Sequence, residues 1–313
     1  MNTTQIGTSS LIGSRLAYGC WRIAGGNSTD LAPETEVAGR RAIIAAYEAG
    51  YTLFDHADIY GRGAAERLFG QVLKEVTGMR DRIVVATKCG IHPKGIPDPS
   101  LPARWDFSAA HIVAACEGSL QRMGIETVDL LMVHRPDYLA DPEEVSRAFA
   151  QLHSAGKVRF FGVSNFRPSL VTTIRTACGF PLVAHQVEIS LARLDALTDG
   201  TLDQCLLDRM TPMAWSPLAG GLLGDGATYL LPAQRGYCTT SMVAELDELA
   251  KERGVSRTVI AIAWLLKHPS KIVPIVGSTN PDRIRDAAKA AEMELGRDQW
   301  YRLLEAARGE PLP

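Results

Sequence analysis

VDLLMVHRPDYLADPEEVSRAFAQLHSAGKVRFFGVS, residues 128–164, contains the unit from which the fold follows. Its two apolar runs, Val128–His134 and Val158–Ser164, are rich in β-branched and large side chains and read as strands buried on both faces. Between them Val145, Ala148, Phe149 and Leu152 recur at the spacing of a one-faced helix. Asp141-Pro142 starts that helix and Gly156 ends it. Strand, helix and strand in this order form a parallel crossover unit.

Working outward, the alternation repeats in both directions. Apolar runs occur at Leu16–Cys20, Tyr51–Asp55 and Ile83–Lys88 upstream, and at Val183–Glu188, Pro212–Trp215 and Ile272–Val276 downstream. Amphipathic stretches lie between them, such as ETEVAGRRAIIAAYEAG and SAAHIVAACEGSLQRMG; Ser108 can cap the latter and Gly124 ends it. Eight buried strands, each followed by a helix, predict the α/β class and a closed (β/α)8 TIM barrel, a fold of about 250 residues. The remaining length accommodates an N-terminal β-hairpin over 2–14, a long loop at 218–240 and an extra C-terminal helix near 298–308. No linker or shift in composition divides residues 1–313, so a single domain is expected.

A hydrophobic content of 46%, a charged content of 22% and a net charge of −2 describe an ordinary soluble globular protein, with no basic surface for nucleic acid or an anionic membrane. No apolar run approaches the ~18 residues of a membrane span. The start, MNTTQIGTSSLIGSRLAYG, lacks the basic and apolar segments of a secretion signal. Cys20, Cys89, Cys116, Cys178, Cys205 and Cys238 include no CxxC pair and read as reduced, buried thiols. The expectation is a cytoplasmic protein acting on a small molecule; no heptad or exposed strand sets an oligomeric state.

In such barrels the chemistry lies where strands reach their C-terminal ends. FDHADIYG (54–61) ends the second strand in Asp55 and leads to Tyr60, VVATK ends the third in Lys88, and DLLMVH ends the fourth in His134. Neighbouring strands bring these side chains to one rim. Asp55 can pair with Lys88. An ammonium beside a phenol is expected to lower the phenol's pKa of about 10 toward the range useful for proton exchange. A neutral His134 can donate a hydrogen bond to a substrate oxygen. The set suits protonation of a carbonyl oxygen while a second agent attacks the carbon.

With FDHADIYG, ATK (86–88), LLMVHRP, GKVRFFGVSNF, QVEIS, MAWSPLAGG and IVGSTNPDRI in this order, nearly the whole chain resembles the aldo-keto reductase family, closest to bacterial oxidoreductases of its shorter-loop, potassium-channel-β-like branch. The resemblance implies hydride transfer between a nicotinamide cofactor and a carbonyl substrate, with Asp55, Tyr60, Lys88 and His134 as the catalytic tetrad. It assigns Ser164, Asn165 and Gln186 to the nicotinamide carboxamide and Trp215 to a stacking platform. Ser216, Leu218 and Gly220, within SPLAGG, would carry the pyrophosphate. Gly277, Ser278, Arg283 and Asp286 fall at the adenosine end, where a helix N-terminus and a guanidinium suit the 2′-phosphate of NADPH. Gly277 stands where many members have Lys, and Asp286-Ala287 replaces a common Glu-Asn pair, so the NADPH preference is expected to be narrower than in the strictest members. Cys20 and Trp21 end the first strand on the same rim and are expected, with Asp55, to contact the cofactor, Cys20 and Trp21 also lining the substrate pocket.

Other signals carry less. YGRGAAE (60–66) imitates a dinucleotide fingerprint but has Glu66 in place of its third glycine. Strand alternation sends His56 away from Asp55, and no metal site is expected. His92, His111, His153 and His268 read as surface residues. Loops at 21–33, 91–107, 135–141 and 218–240 should shape the pocket; Trp21, Trp105, Tyr138, Leu222 and Tyr229 suggest an apolar, partly aromatic cavity. Loop 218–240, with Gly220, Gly221, Gly224 and Gly226, could close over bound cofactor. Besides an NADPH-dependent carbonyl reductase, two functions compete: a nicotinamide-binding regulator with little turnover, and an aldolase using Lys88 as a Schiff base. Asp55 beside Lys88 disfavours the last, because a salt-bridged ammonium is a poor nucleophile.

Overall fold

A computed structural model describes residues 1–25, 31–225 and 240–312. An antiparallel hairpin of β1 (Thr3–Gln5) and β2 (Ile12–Ser14) precedes β3 (Ala17–Gly19), β4 (Leu53–Asp55) and β5 (Val84–Cys89). A small second hairpin, β6 (Ile91–His92) and β7 (Arg104–Trp105), follows. The parallel strands resume with β8 (Val128–Val133), β9 (Val158–Ser164), β10 (Leu182–Glu188), β11 (Thr211–Trp215) and β12 (Val273–Val276). β3, β4, β5 and β8 to β12 form a closed barrel, sealed where Ile275 and Val276 of β12 pair with Ala17 and Tyr18 of β3. This is the (β/α)8 architecture expected from the alternation.

Each barrel strand leads to a helix: α1 (Pro33–Glu48), α2 (Ala64–Glu75), α3 (Ala109–Met123), α4 (Pro142–Ser154), α5 (Pro168–Ala177), α6 (Thr201–Leu207), the pair α7 (Thr240–Arg253) and α8 (Arg257–Leu266), and α9 (Pro281–Ala288). The C-terminal α10 (Arg297–Arg308) packs on α7 and α8. The indoles of Trp264 and Trp300 stack 5.0 Å apart and exchange Nε1–H bonds to each other's carbonyls at 3.1 and 3.0 Å, fastening α8 to α10. Local signals act as their chemistry requires. Ser108 Oγ accepts from His111 N at the start of α3, Gly124 ends it at φ 65°, and Asp141 Oδ1 accepts from Glu143 N at the start of α4.

Period-two alternation divides each strand between two cores. Leu16, Tyr18, Phe54, Val85, Leu131 and Phe161 face the helices. Ala17, Leu53, Val84, Ala86, Leu130, Met132, Ala184, Met213, Val273 and Ile275 fill the barrel. Ile6 and Leu11 of the first hairpin, 0% and 2% exposed, plug its N-terminal mouth. Residues 91–107, expected as a loop, carry the β6–β7 hairpin, which went unforeseen because strands of two residues leave no periodic trace. Of loop 218–240, residues 226–239, with Gly226 and Tyr229, lie outside the described residues, as does the closure expected of them. Among the described residues no helix is long and apolar enough to cross a membrane.

Candidate active site

Continuing the inward alternation past the apolar layers gives, strand by strand, Gly19, Asp55, Lys88, His134, Ser164, Gln186, Trp215 and Gly277. The inward positions that are apolar at the bottom of the barrel become polar or glycine at its C-terminal end. There a cavity of about 680 Å³ opens; its lining includes Asp55, Tyr60, His134, Asn165, Gln186 and Trp215.

At its base Lys88, fully buried, donates to Asp55 Oδ1 at 2.6 Å, and Gln186 Nε2 donates to the same oxygen at 2.8 Å. Tyr60 lies over this pair, with Lys88 Nζ 5.2 Å from its ring centroid. Its ring meets His134 edge to face, with centroids 6.1 Å apart. Burial, and then Lys88 and Arg135, hold His134 well below 6.5, so its imidazole is neutral. Burial lowers Lys88 from 10.5, against the opposing pull of Asp55. The expectation for Tyr60 is corrected in direction. Burial, and then the charge of Asp55, push its phenol well above 10. Desolvation is the larger cause, and the carboxylate beneath the ring acts in the same direction. At neutral pH the phenol keeps its proton.

Asn165, at φ 62°, gives its Nδ2 to Ser164 Oγ at 2.8 Å and to the His134 carbonyl at 3.1 Å, while its Oδ1 accepts from Trp215 Nε1 at 2.9 Å. Arg135 lies 5.6 Å over the other ring system of this corner, the Trp215 indole. Ser216 and Ala219 also take positive φ, 49° and 48°. Backbone held in sparsely populated conformations tends to cluster where a site needs it. Ser216, Leu218, Gly220, Gly277, Ser278 and Arg283 continue the lining. Asn280 caps α9 through Asp282 N and Arg283 N, at 2.8 and 3.2 Å. A Cβ built on Gly277 would meet only the Gly19 carbonyl, at 3.8 Å, so glycine widens the cavity where a side chain would project into it.

Three of the expected cofactor residues lie off the lining. Cys20 is fully buried because alternation turns it toward the helices while Gly19 and Trp21 face the cavity. Ser164 is also fully buried and orients Asn165 from behind. Asp286 accepts from Ser256 Oγ and pairs with Lys289, since helical rotation sends Ala287, one turn after Arg283, to the cavity instead. The cavity is apolar and partly aromatic, as expected, lined by Trp21, Tyr60 and Trp215 with Ile59, Ile91 and Leu218, but not by all the residues expected. Trp105 and Tyr138 pack edge to face on each other, 5.5 Å apart, and neither they nor Leu222 line the cavity. Charged groups also reach the lining: Arg22, Arg135 and the ion pair of Arg193 with Glu188 at 3.3 Å, beside Trp21 and Ile91. These charged residues were missed; the one available signal was Arg135, directly after His134. His56 turns outward against Phe69, with ring centroids 4.4 Å apart, as alternation requires.

Comparison with known proteins agrees with this geometry. The model of the Aldo/keto reductase family matches residues 15–308. A 6-dehydroglucose reductase of Agrobacterium fabrum is 43% identical over 298 residues, 95% of each chain. A second protein of that name, from Novosphingobium aromaticivorans, is 40% identical over 316 residues, covering 99% of this chain and 96% of its own. The glycerol dehydrogenase AKR11B4 from Gluconobacter oxydans superposes with a TM-score of 0.87 at 27% identity, over 99% of this chain and 97% of that one.

Proposed function

This chain belongs to the aldo/keto reductase family, a nicotinamide-dependent oxidoreductase family, and from that premise we propose that it reduces the aldehyde group of a polyhydroxylated small molecule with NADPH. The observation that carries the reading is the buried Lys88–Asp55 pair beneath a protonated Tyr60 and a neutral His134 at the open end of the barrel. When bound, the reduced nicotinamide supplies a hydride to the carbonyl carbon.

The residues of the chain do the rest. His134 donates a hydrogen bond to the carbonyl oxygen and fixes its approach. Tyr60 gives its phenolic proton to that oxygen as negative charge develops, so that C=O becomes CH–OH. At neutral pH the phenol holds the proton that reduction consumes; because burial makes it a weaker acid, its transfer relies on the charge developing on the substrate oxygen. Lys88 faces the phenolate left behind, and Asp55 holds Lys88 in place. Asn165 and Gln186 are suited to a carboxamide, and the Trp215 face to a planar ring. Arg283 and Ser278 at the start of α9 favour the 2′-phosphate, hence NADPH over NADH. The charged groups Arg22, Arg135, Glu188 and Arg193 at the cavity, and the names of the two relatives, make 6-dehydroglucose the first substrate to test.

Consumption of NADPH and of NADH with that aldehyde, in wild type and Tyr60→Phe, tests the reading. Wild type should turn over faster with NADPH, and the variant should lose roughly 10²–10⁴ in kcat. Its quenching by bound cofactor should be unchanged. Equal turnover in both proteins would assign the proton to another group. Cofactor binding without turnover in wild type, across a panel of aldehydes, would favour a regulatory nicotinamide-binding protein.

A further inference from the structure

We propose that His92, Asp106 and His111 form a binding site for a divalent transition metal, zinc by the character of the donors, which ties the β6–β7 hairpin to the start of α3. His92 closes β6, opposite Arg104; Asp106 directly follows β7; His111 lies in the first turn of α3. One ligand atom from each, two imidazole nitrogens and a carboxylate oxygen, lies within 4.8 Å of the other two. His92 Nε2 stands 3.4 Å from Asp106 Oδ2, and the imidazoles are 4.2 Å apart at 41°. In a tetrahedral site with bonds of about 2.0–2.2 Å the ligand atoms are themselves about 3.3–3.6 Å apart. The His92–Asp106 distance already fits, and metal binding would draw the His111 nitrogen in from its present place within 4.8 Å of the other two ligand atoms.

Two further observations point to a ligand rather than to a surface ion pair. Nε2 of His111 is buried and has no hydrogen-bond partner among the described residues, and the buried Nε2 of His92 faces only the Asp106 carboxylate, beyond good hydrogen-bond geometry. Orphaned polar atoms of this kind are unfavourable and call for a partner. The carboxylate is also prepared. Asp106 Oδ1 accepts from Ser108 N at 2.9 Å, and Asp106 N donates to the Gly90 carbonyl at 3.1 Å, so Oδ2 is held toward the histidines. An outer hydrogen bond that orients a ligating carboxylate is a regular feature of metal sites.

The donor set excludes magnesium and calcium, which take oxygen ligands, and suits zinc, with the fourth position open to water. None of the three residues lines the catalytic cavity, but Ile91, the neighbour of His92 in β6, does. A metal here would fix one wall of the substrate pocket from outside.

The test uses full-length, tag-free protein stripped with chelator. Zinc is titrated in competition with a chromophoric chelator, and cobalt as a spectroscopic stand-in. Wild type should take up one equivalent of zinc at micromolar affinity or tighter, lose it at acid pH, and show visible ligand-field bands with cobalt. Asp106→Asn, which keeps the bond from Ser108, should weaken binding by roughly ten- to a hundredfold. His92→Gln with His111→Gln should abolish it, with circular dichroism confirming the fold. Absence of zinc uptake by wild type would overturn the proposal. So would unchanged affinity in the folded variants, which would place the metal on other residues such as the cysteines.

Discussion

At the residue scale, His56 shows how a buried ionisable group makes stability depend on pH. Both its nitrogens are buried without a hydrogen-bond partner among the described residues, and burial, then Lys88, lowers it from 6.5 to about 3. The unfolded chain takes up this proton as pH falls below 6.5, and the folded chain does not until about 3. The contribution of neutral His56 is therefore complete above 6.5 and is lost as pH falls through that window. Linkage gives a loss of about 2 kcal/mol between neutrality and pH 5. His56→Leu, which keeps an apolar group against Phe69, should be as stable as wild type near neutrality and lose about that much less at pH 5. Urea denaturation at both pH values measures it; parallel losses in the two proteins would mean that other groups carry the dependence. Asp55, Tyr60, Lys88 and His134 could be singled out because each lies at or just beyond the C-terminal end of a strand. Their ionisation was less legible. The direction at Tyr60 depends on how completely the phenol is desolvated and on Asp55 already holding Lys88, and neither is written in the local sequence.

At the scale of elements, α2 and α3 cross at Gly70. A Cβ there would lie 2.5 Å from the Met123 carbonyl oxygen and 2.9 Å from its Cα, so backbone meets backbone and nothing nearby can swing aside. Glu66 of α2, fully buried, ties the same pair together by accepting from Arg122 Nε at 2.6 Å and from Thr87 Oγ1 at 2.8 Å. Gly70→Ala gains up to ~1 kcal/mol of helix propensity but forces the helices apart, an overpacking cost of about 1–3 kcal/mol. Net destabilisation is expected, read as a lower denaturant midpoint; a more stable variant would mean that the crossing is looser than it is drawn. Helices of this kind were legible from their apolar stripes and caps. The β6–β7 hairpin was not, because Ile91–His92 and Arg104–Trp105 are two-residue strands held by pairing across the gap, with no pattern of their own. His92, Asp106 and His111 went unrecognised as a group for the same reason: only the hairpin brings them together.

For the whole molecule, the two ends of the barrel have separate duties. The C-terminal end holds the polar residues, while the N-terminal end is closed by Ile6 and Leu11 from the first hairpin. Ile6→Ala should cost about 2–5 kcal/mol, because its cavity opens into a packed interior that collapses only partly. KM and kcat with a turned-over aldehyde should stay at their wild-type values below the new melting point. A large change in KM would show that the ends are coupled through the barrel. This division was readable in advance, since the same inward register that runs Leu130, Met132 ends in His134. The charged groups at the cavity were not, because Arg22, Arg135 and the Glu188–Arg193 pair come from three different strand ends and meet only once the sheet curls into a ring.

That ring is completed by its last strand. β12 pairs with β3, and the Tyr18 and Tyr51 hydroxyls donate to the carbonyls of Ser278 and Ile284, joining the first strands to the last βα turn. During synthesis the early strands must wait, with one edge unpaired, until nearly the whole chain has emerged. The segment proposed to grip the cofactor phosphate is thus also the one that shuts the barrel. A nascent chain can hold neither a finished sheet nor a nucleotide until that segment arrives, and its exposed edge in the interval is where chaperone protection has most to offer.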